Sequence, residues 1–283
     1  MFIFSFLYHT SITCTPWFLY DLIVMELCQS RTLCVDDLRK GNFTVEIARK
    51  LASYHLMDMP LRKQPVFLLE TCENWLASIP ETFDNADHNT KLQQLLDYVD
   101  GLKNELGYVK QLIGDISSPS VFSHNDLNEG NVLSIEHTGQ NTGDKPIVFI
   151  DFEYSSYNYR GYDIANFFCE WTFDYSSKEL PCFKYSPEDY PTKEQQLKFI
   201  RAYLDCFNEY QSATVEKKEK IEFDLLTEVE RLTIPCHFFW VLWSIVQQTK
   251  SQHKFGFLDY ALTRMKIYVD LKKKFTDPSE SKL

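Results

Sequence analysis

Glycine is scarce in this chain, with nine in 283 residues, and the first is Gly41. The first basic residue is Arg31 and the first lysine is Lys40. The opening segment therefore has no glycine-rich turn of the kind that cradles a phosphate on backbone N–H groups. Residues 1–20 also carry no formal charge, so the positive start of a secretory signal is missing. Polar residues from His9 to Thr15, followed by Pro16, interrupt the apolar run too early for a membrane span. A buried strand with a ragged lead-in, or a cryptic signal, is left for that segment. The eight cysteines include no C-x-x-C pair and stand beside no histidine cluster, which excludes a zinc site of ordinary spacing. Scattered in this way they read as reduced thiols of an intracellular protein. A net charge of −11 argues against a nucleic-acid backbone or an anionic membrane as partner. No internal repeat or low-complexity tract is visible.

The composition, 44% apolar and 24% charged, is that of a globular chain with ample core. An apolar run from Tyr20 to Leu27 suits a sheet edge leading into a linker. Residues 43–59 carry Phe43, Ile47, Ala48, Leu51, Ala52 and His55 at helical spacing, and Pro60 closes the segment. Thr90 and Gln93 have the spacing of a capping box, with one apolar stripe running from Leu92 to Ile113 behind them. Short strands are expected at 121–124 and 132–135, then a turn-rich connection over 137–146. An apolar β run at 146–150 ends at the acidic pair Asp151 and Glu153. Another helix begins near Thr192 with Gln195 completing its cap, and the remainder is helical, with aromatics dense over 238–243. Short strands among long helices point to an α+β fold.

Chemistry concentrates in Ser123-His-Asn-Asp-Leu-Asn-Glu-Gly-Asn131. Asp126 and Asn131 have the D-x-x-x-x-N spacing of a phosphotransferase catalytic loop. A carboxylate at the first position can orient an attacking hydroxyl and accept its proton. A neutral amide oxygen at the second can reach a metal without adding repulsive charge. Asp151, following a strand, is placed to hold Mg²⁺ against nucleotide phosphates. Asp, Asn and Gly also mark ordinary turns, but both motifs in this order, with a strand before the second, favour the chemical reading. Trp240 and Trp243 share a helix face. Such a pair is either core or part of an aromatic cage for a quaternary ammonium, which has no hydrogen to donate and is held by ring faces and a nearby carboxylate.

His124-Asn125-Asp126, Glu129-Gly130-Asn131 and the run from Ile150 through Asp151-Phe-Glu153 to Glu170-Trp171 resemble the signature of the choline/ethanolamine kinase family. The resemblance extends through Tyr175, Trp240-x-x-Trp243-Ser-Ile-Val-Gln247 and Asp259-Tyr260-Ala261, from about residue 22 onward. It implies a protein-kinase-like fold, with residues 1–30 a remnant of the nucleotide lobe and linker strand and residues 31–283 a mostly helical catalytic lobe. It implies Asp126 as catalytic base, Asn131 and Asp151 as Mg²⁺ ligands supported by Glu153, and Glu170, Tyr175, Trp240, Trp243 and Tyr260 as the substrate pocket. ATP is the implied co-substrate and a small amino alcohol the implied acceptor, choline or ethanolamine, with no nucleic-acid partner and no stable membrane insertion. A homodimer, or pairing with a full-length relative, is the implied assembly. Tyr162, Ala165 and Phe167 stand where the family's run has Phe, Gly and His, a change expected beside the pocket and so in substrate preference.

The same resemblance makes the late glycine and lysine significant, because a kinase of this fold uses a glycine loop and a strand lysine on its nucleotide phosphates. The expectation is a lobe largely missing. Two readings follow: a kinase forming phosphocholine, the first step towards phosphatidylcholine, or a pseudoenzyme that binds choline or pairs with a complete relative. An aminoglycoside-type phosphotransferase would share His-x-Asp and Asn131 without the aromatic set. The cytoplasm is the expected location. The terminal Ser281-Lys282-Leu283 matches a peroxisomal address, as the alternative to a coincidental ending.

Overall fold

The computed structural model describes residues 30–135 and 146–276. Along the chain they form β1 (Ser30–Thr32), α1 (Val35–Arg39), α2 (Thr44–His55), α3 (Phe67–Ser78), α4 (Ala86–Asp97), α5 (Leu102–Gly114), β2 (Ser120–Ser123), β3 (Val132–Ile135), β4 (Ile147–Phe149) and β5 (Ser156–Tyr159). There follow α6 (Arg160–Glu170), β6 (Phe173–Asp174), β7 (Lys184–Tyr185), α7 (Lys193–Leu204), α8 (Asn208–Gln211), α9 (Val215–Lys250) and α10 (Phe257–Thr276). Long helices with short strands between them make the α+β arrangement expected from the sequence. The apolar run at 20–27, the connection over 137–145 and the tail carrying Ser281-Lys282-Leu283 lie outside the described residues. Among the described residues no helix is long and apolar enough to cross a membrane. The chain groups into two compact units, with described residues 30–65, 119–135, 146–173 and 186–229 in the first and 66–118, 174–185 and 230–276 in the second.

In the first unit, β1, β3 and β4 form an antiparallel sheet with β3 in the middle. Leu133 pairs with Thr32 on one side and Val148 on the other, and Val132 pairs with Phe149. Val132, Leu133 and Phe149 are fully buried, and since Val132 and Leu133 point to opposite faces, the sheet is covered on both sides at this point. β2 pairs with β5 in a ribbon, with Phe122 opposite Tyr157. A lone two-stranded ribbon is marginal in water, and α2 and α6 pack against this one.

α2 buries Ile47, Ala48, Leu51 and Ala52 completely and packs on α7. The helix ends at His55, earlier than the spacing suggested. Pro60 biases the residue before it away from helix, and the Met59 N–H instead donates to the Tyr157 hydroxyl at 3.0 Å. α7 starts as read, with Thr192 accepting from the Gln195 N–H and Gln195 returning a bond to the Thr192 backbone. α6 differs from every other helix here: all ten residues from Gly161 to Glu170 are buried. Three of them, Asp163, Asn166 and Glu170, are polar at helical spacing, and buried polar groups require partners.

The second unit corrects the single stripe over 92–113. Two helices, α4 and α5, replace it, separated at Gly101, whose φ of +84° only glycine adopts without strain. The cap is also one turn earlier than Thr90. The Asn85 side chain accepts from the Asp87 and His88 N–H groups, while the Thr90 hydroxyl donates back to the Ala86 carbonyl. The apolar pattern still does its packing job, since Leu92, Leu95, Leu102, Leu106, Val109 and Ile113 are buried. α10 is tied across to α5, where Glu105 accepts from Tyr268 at 2.5 Å and from Lys272 at 2.6 Å.

Candidate functional site

Between β2 and β3 the chain forms a loop and a single 3₁₀ turn, Glu129–Asn131. His124 is fully buried and works as a strut. Its Nε2–H donates to the Ile150 carbonyl at 2.9 Å, and its Nδ1 accepts from the Asp126 N–H at 3.3 Å. Burial depresses its pKa, which suits a neutral ring with one donor and one acceptor. The Ile150 N–H donates in turn to the Asn131 carbonyl at 3.0 Å. The loop bearing Asp126 and the strand end bearing Asp151 are thus stitched together at two points.

Asp126 is held by two amides. Asn128 Nδ2 donates to its carbonyl oxygen and to Oδ1, each at 3.2 Å. Asn131 Nδ2 donates to the same carbonyl at 2.8 Å and to Oδ2 at 3.1 Å. With its nitrogen used in this way, the Asn131 side-chain oxygen is left buried without a hydrogen bond. An orphaned carbonyl oxygen costs free energy unless something electropositive reaches it. Asp151 sits at φ +64°, a left-handed backbone uncommon outside glycine and tolerated by Asp and Asn. Such strain gathers at functional positions.

Negative charge accumulates here. Burial first, then the charges of Asp151, Glu170 and Glu153, push the Asp126 carboxyl well above its usual range. Glu153 is the most exposed of the group, yet the protein around it and then the Asp151 charge raise it to about 7. Carboxylates that repel one another invite a cation, and the donor set of hard oxygens fits Mg²⁺. Among the described residues no three His, Cys, Asp or Glu side chains form a chelating group, and Mg²⁺ does not need one. It keeps several waters and uses one or two protein oxygens plus substrate phosphates. Asn131 and Asp151 fit that role.

A pH dependence follows. Glu153 ionises from a usual 4.5 to about 7 in the fold, so between those values unfolding releases a proton that the fold retains. Metal-free stability therefore falls as pH rises through that window, and Mg²⁺ offsets the loss by competing with protons. Thermal melts should show a larger Mg²⁺-induced rise in Tm at about pH 8 than at about pH 5.

The second unit brings together Tyr175, Trp240, Trp243 and Tyr260, with partners that the sequence did not single out. Trp240 and Trp243 meet edge to face at 5.4 Å, and Trp243 meets Phe257 at 5.8 Å. Phe257 contacts Phe255 at 5.0 Å, and Phe255 contacts Tyr260 at 5.8 Å, Phe183 at 5.8 Å and Tyr175 at 6.4 Å. The Tyr175 and Tyr260 hydroxyls are 3.0 Å apart. Buried Arg264 lies 4.9 Å over the Tyr260 ring and also donates to its hydroxyl, so one face of that ring already holds a cation. Gly256 permits the arrangement: a Cβ there would come within 2.5 Å of Pro181 Cβ. Its absence lets the segment before Phe183 close on the start of α10.

Glu170 belongs with the acidic group of the first unit, through its charge on Asp126. Every residue expected at the site is therefore placed in one of two sets, an acidic set around Asp126 and an aromatic set around Trp243.

A family model described as choline/ethanolamine kinase matches residues 22–269. The chain belongs to the choline/ethanolamine kinase family. The choline/ethanolamine kinase of Homo sapiens is 42% identical over 252 residues, covering 89% of this chain and 62% of that protein. The chain thus spans less than two thirds of the length of that curated relative. Among solved structures, a choline kinase from Cryptosporidium parvum Iowa II is 27% identical with a TM-score of 0.68, covering 89% of this chain and 71% of that one. The ethanolamine kinase of Plasmodium vivax is 26% identical with a TM-score of 0.65, covering 85% and 62%. The described residues have the protein-kinase-like fold of these choline/ethanolamine kinases.

The three departures from the family's run lie in the core of the first unit. Tyr162, Ala165 and Phe167 are each fully buried in the first unit. Phe167 packs on Phe199 at 5.3 Å and Trp171 at 6.2 Å. Buried among aromatic rings in this way, Phe167 contributes packing. The polar residues of α6 face the loop that carries Asp126. Asp163 accepts the His124 and Asn125 N–H groups, and Asn166 donates to the Leu127 carbonyl at 3.1 Å. The sequence signal was available in D-x-x-N-x-x-x-E spacing on an otherwise apolar helix.

Proposed function

We propose that this chain transfers the γ-phosphoryl group of ATP to the hydroxyl of an amino alcohol, choline foremost and ethanolamine second. The observation that carries the proposal is the Asn131 amide, whose nitrogen orients Asp126 while its oxygen is left buried without a hydrogen bond. One side chain thereby couples the base to a metal position, as phosphoryl transfer requires. Asp126 would accept the hydroxyl proton as the new O–P bond forms and the bond to the ADP oxygen breaks. Burial and the neighbouring carboxylates raise its pKa above that of an ordinary aspartate. Mg²⁺, on the Asn131 oxygen and Asp151, would neutralise charge on the phosphates.

The aromatic set supports choline. Ring faces attract a cation that cannot donate hydrogen bonds, and Trp243 keeps part of its surface exposed. Ethanolamine would rely more on acceptors such as Tyr175. The pseudoenzyme reading gains no support from relatives that are named as kinases. We place the enzyme in the cytoplasm, with the peroxisome as the alternative carried by Ser281-Lys282-Leu283. A fluorescent fusion at the N-terminus, which leaves that tripeptide free, separates the two.

The test is ligand-induced thermal stabilisation of the purified chain. Choline and Mg-ATP should each raise Tm, and kanamycin should not. Trp243→Ala should weaken choline binding about tenfold and leave the Mg-ATP shift in place. A chain stabilised by kanamycin, or indifferent to choline, would overturn the assignment.

A further inference from the structure

Arg264 is a fully buried cation in the second unit, and the phosphoryl-transfer scheme does not use it. Its guanidinium lies 4.9 Å from the centre of the Tyr260 ring and donates from Nη2 to the Tyr260 hydroxyl. Nη1 lies 3.2 Å from His237 Nδ1. A guanidinium has donors only, so His237 Nδ1 is the acceptor and the proton of that ring is on Nε2. The Tyr260 hydroxyl is in turn 3.0 Å from that of Tyr175. Tyr260 is 4% exposed, whereas Tyr175 keeps part of its surface open. A relay therefore runs outward from a buried charge to a side chain that a ligand can reach.

We propose that Arg264 is a specificity-determining residue, which turns the Tyr175 hydroxyl from an acceptor into a donor and so favours a quaternary over a primary ammonium. The inference rests on the reading of the aromatic set as an amino-alcohol site. Packing alone does not call for a fully buried guanidinium, because an apolar side chain of similar length would fill the space without its desolvation cost. The direction of the relay follows from the charge. With a lone pair of Tyr260 engaged by the guanidinium, the Tyr260 O–H is polarised into a better donor. Tyr175 is within reach and receives that hydrogen, so its own is directed away from Tyr260. A primary ammonium needs lone pairs at hydrogen-bond distance from its N–H groups, and the relay withdraws one at Tyr175. A quaternary ammonium makes no such demand, since it binds through ring faces. Arg264 also covers one face of Tyr260, which leaves cation binding to the other rings, with Trp243 and Phe255 partly exposed. Repulsion from the buried charge acts on both ligands alike, whereas the loss of an acceptor acts on only one.

Dissociation constants for choline and ethanolamine, measured by calorimetry on wild type and Arg264→Met, test the proposal. Methionine fills the space without charge or donors. Tyr260 can then accept from Tyr175, whose lone pairs become available to ethanolamine. The preference for choline over ethanolamine in Kd should fall about tenfold, chiefly through tighter ethanolamine binding. An unchanged preference in folded Arg264→Met, or a wild type that binds the two alike, would overturn the proposal while leaving the amino-alcohol reading in place. A fall that comes only from weaker choline binding would also overturn it, and would mark Arg264 as a packing residue. A wild type that binds neither ligand defeats the amino-alcohol reading, and this inference falls with it. If Arg264→Met does not fold, Tyr260→Phe carries the test. It keeps the ring and removes the hydrogen donated to Tyr175, so tighter ethanolamine binding supports the relay and unchanged ethanolamine binding contradicts it.

Discussion

Asp126→Ala should abolish phosphocholine formation, with kcat down by about 10³-fold or more, in a chain that stays folded. The fold tolerates the change because the two amides that hold the carboxylate keep a second acceptor. Asn128 and Asn131 both also donate to the main-chain carbonyl of residue 126. The substitution also removes one member of a crowded set of acids, since Asp151, Glu170 and Glu153 all act on Asp126. Metal-free Tm should then hold or rise. The paired measurement, steady-state turnover and a thermal melt, is discriminating. Lost activity together with a lower Tm would point to a scaffold residue, whereas lost activity at unchanged or higher Tm identifies the base.

Asp151→Asn should be nearly as damaging, by about 10³-fold in kcat/KM, because the negative ligand charge that would hold Mg²⁺ against the phosphates is lost. The substitution is a clean one. Asp151 occupies a left-handed backbone, φ +64°, and asparagine accepts that conformation as readily as aspartate. The loss should therefore come from charge alone. Raising Mg²⁺ should recover part of the activity, and a titration of rate against Mg²⁺ should shift to higher concentration. A variant with wild-type Mg²⁺ dependence would remove Asp151 from the metal position.

The parts of this site that were legible in the sequence are those in which chemistry sits inside a short motif. Asp126 and Asn131 could be named from their spacing, and Asp151 from the apolar run before it, because one loop and one strand end place all three. Trp240 and Trp243 were legible as neighbours on one helix face, while the choice of cage over core came from the family resemblance. What stayed hidden was assembled from distant segments. Phe183, Phe255 and Phe257 join the tryptophans only once Gly256 lets residue 181 approach. Asp163 drew no attention because helical periodicity is read from apolar residues, and on a helix buried all round the informative residues are the polar ones. The break at Gly101 was masked by a stripe that continues in phase across it, although the positive φ there was open to inference from the glycine itself.

The most direct test of the account is phosphocholine formation by the purified 283-residue chain with Mg²⁺, ATP and choline. Product that requires all three and disappears in Asp126→Ala is the predicted result. A folded chain that binds choline yet forms no phosphocholine at any Mg-ATP concentration would contradict it.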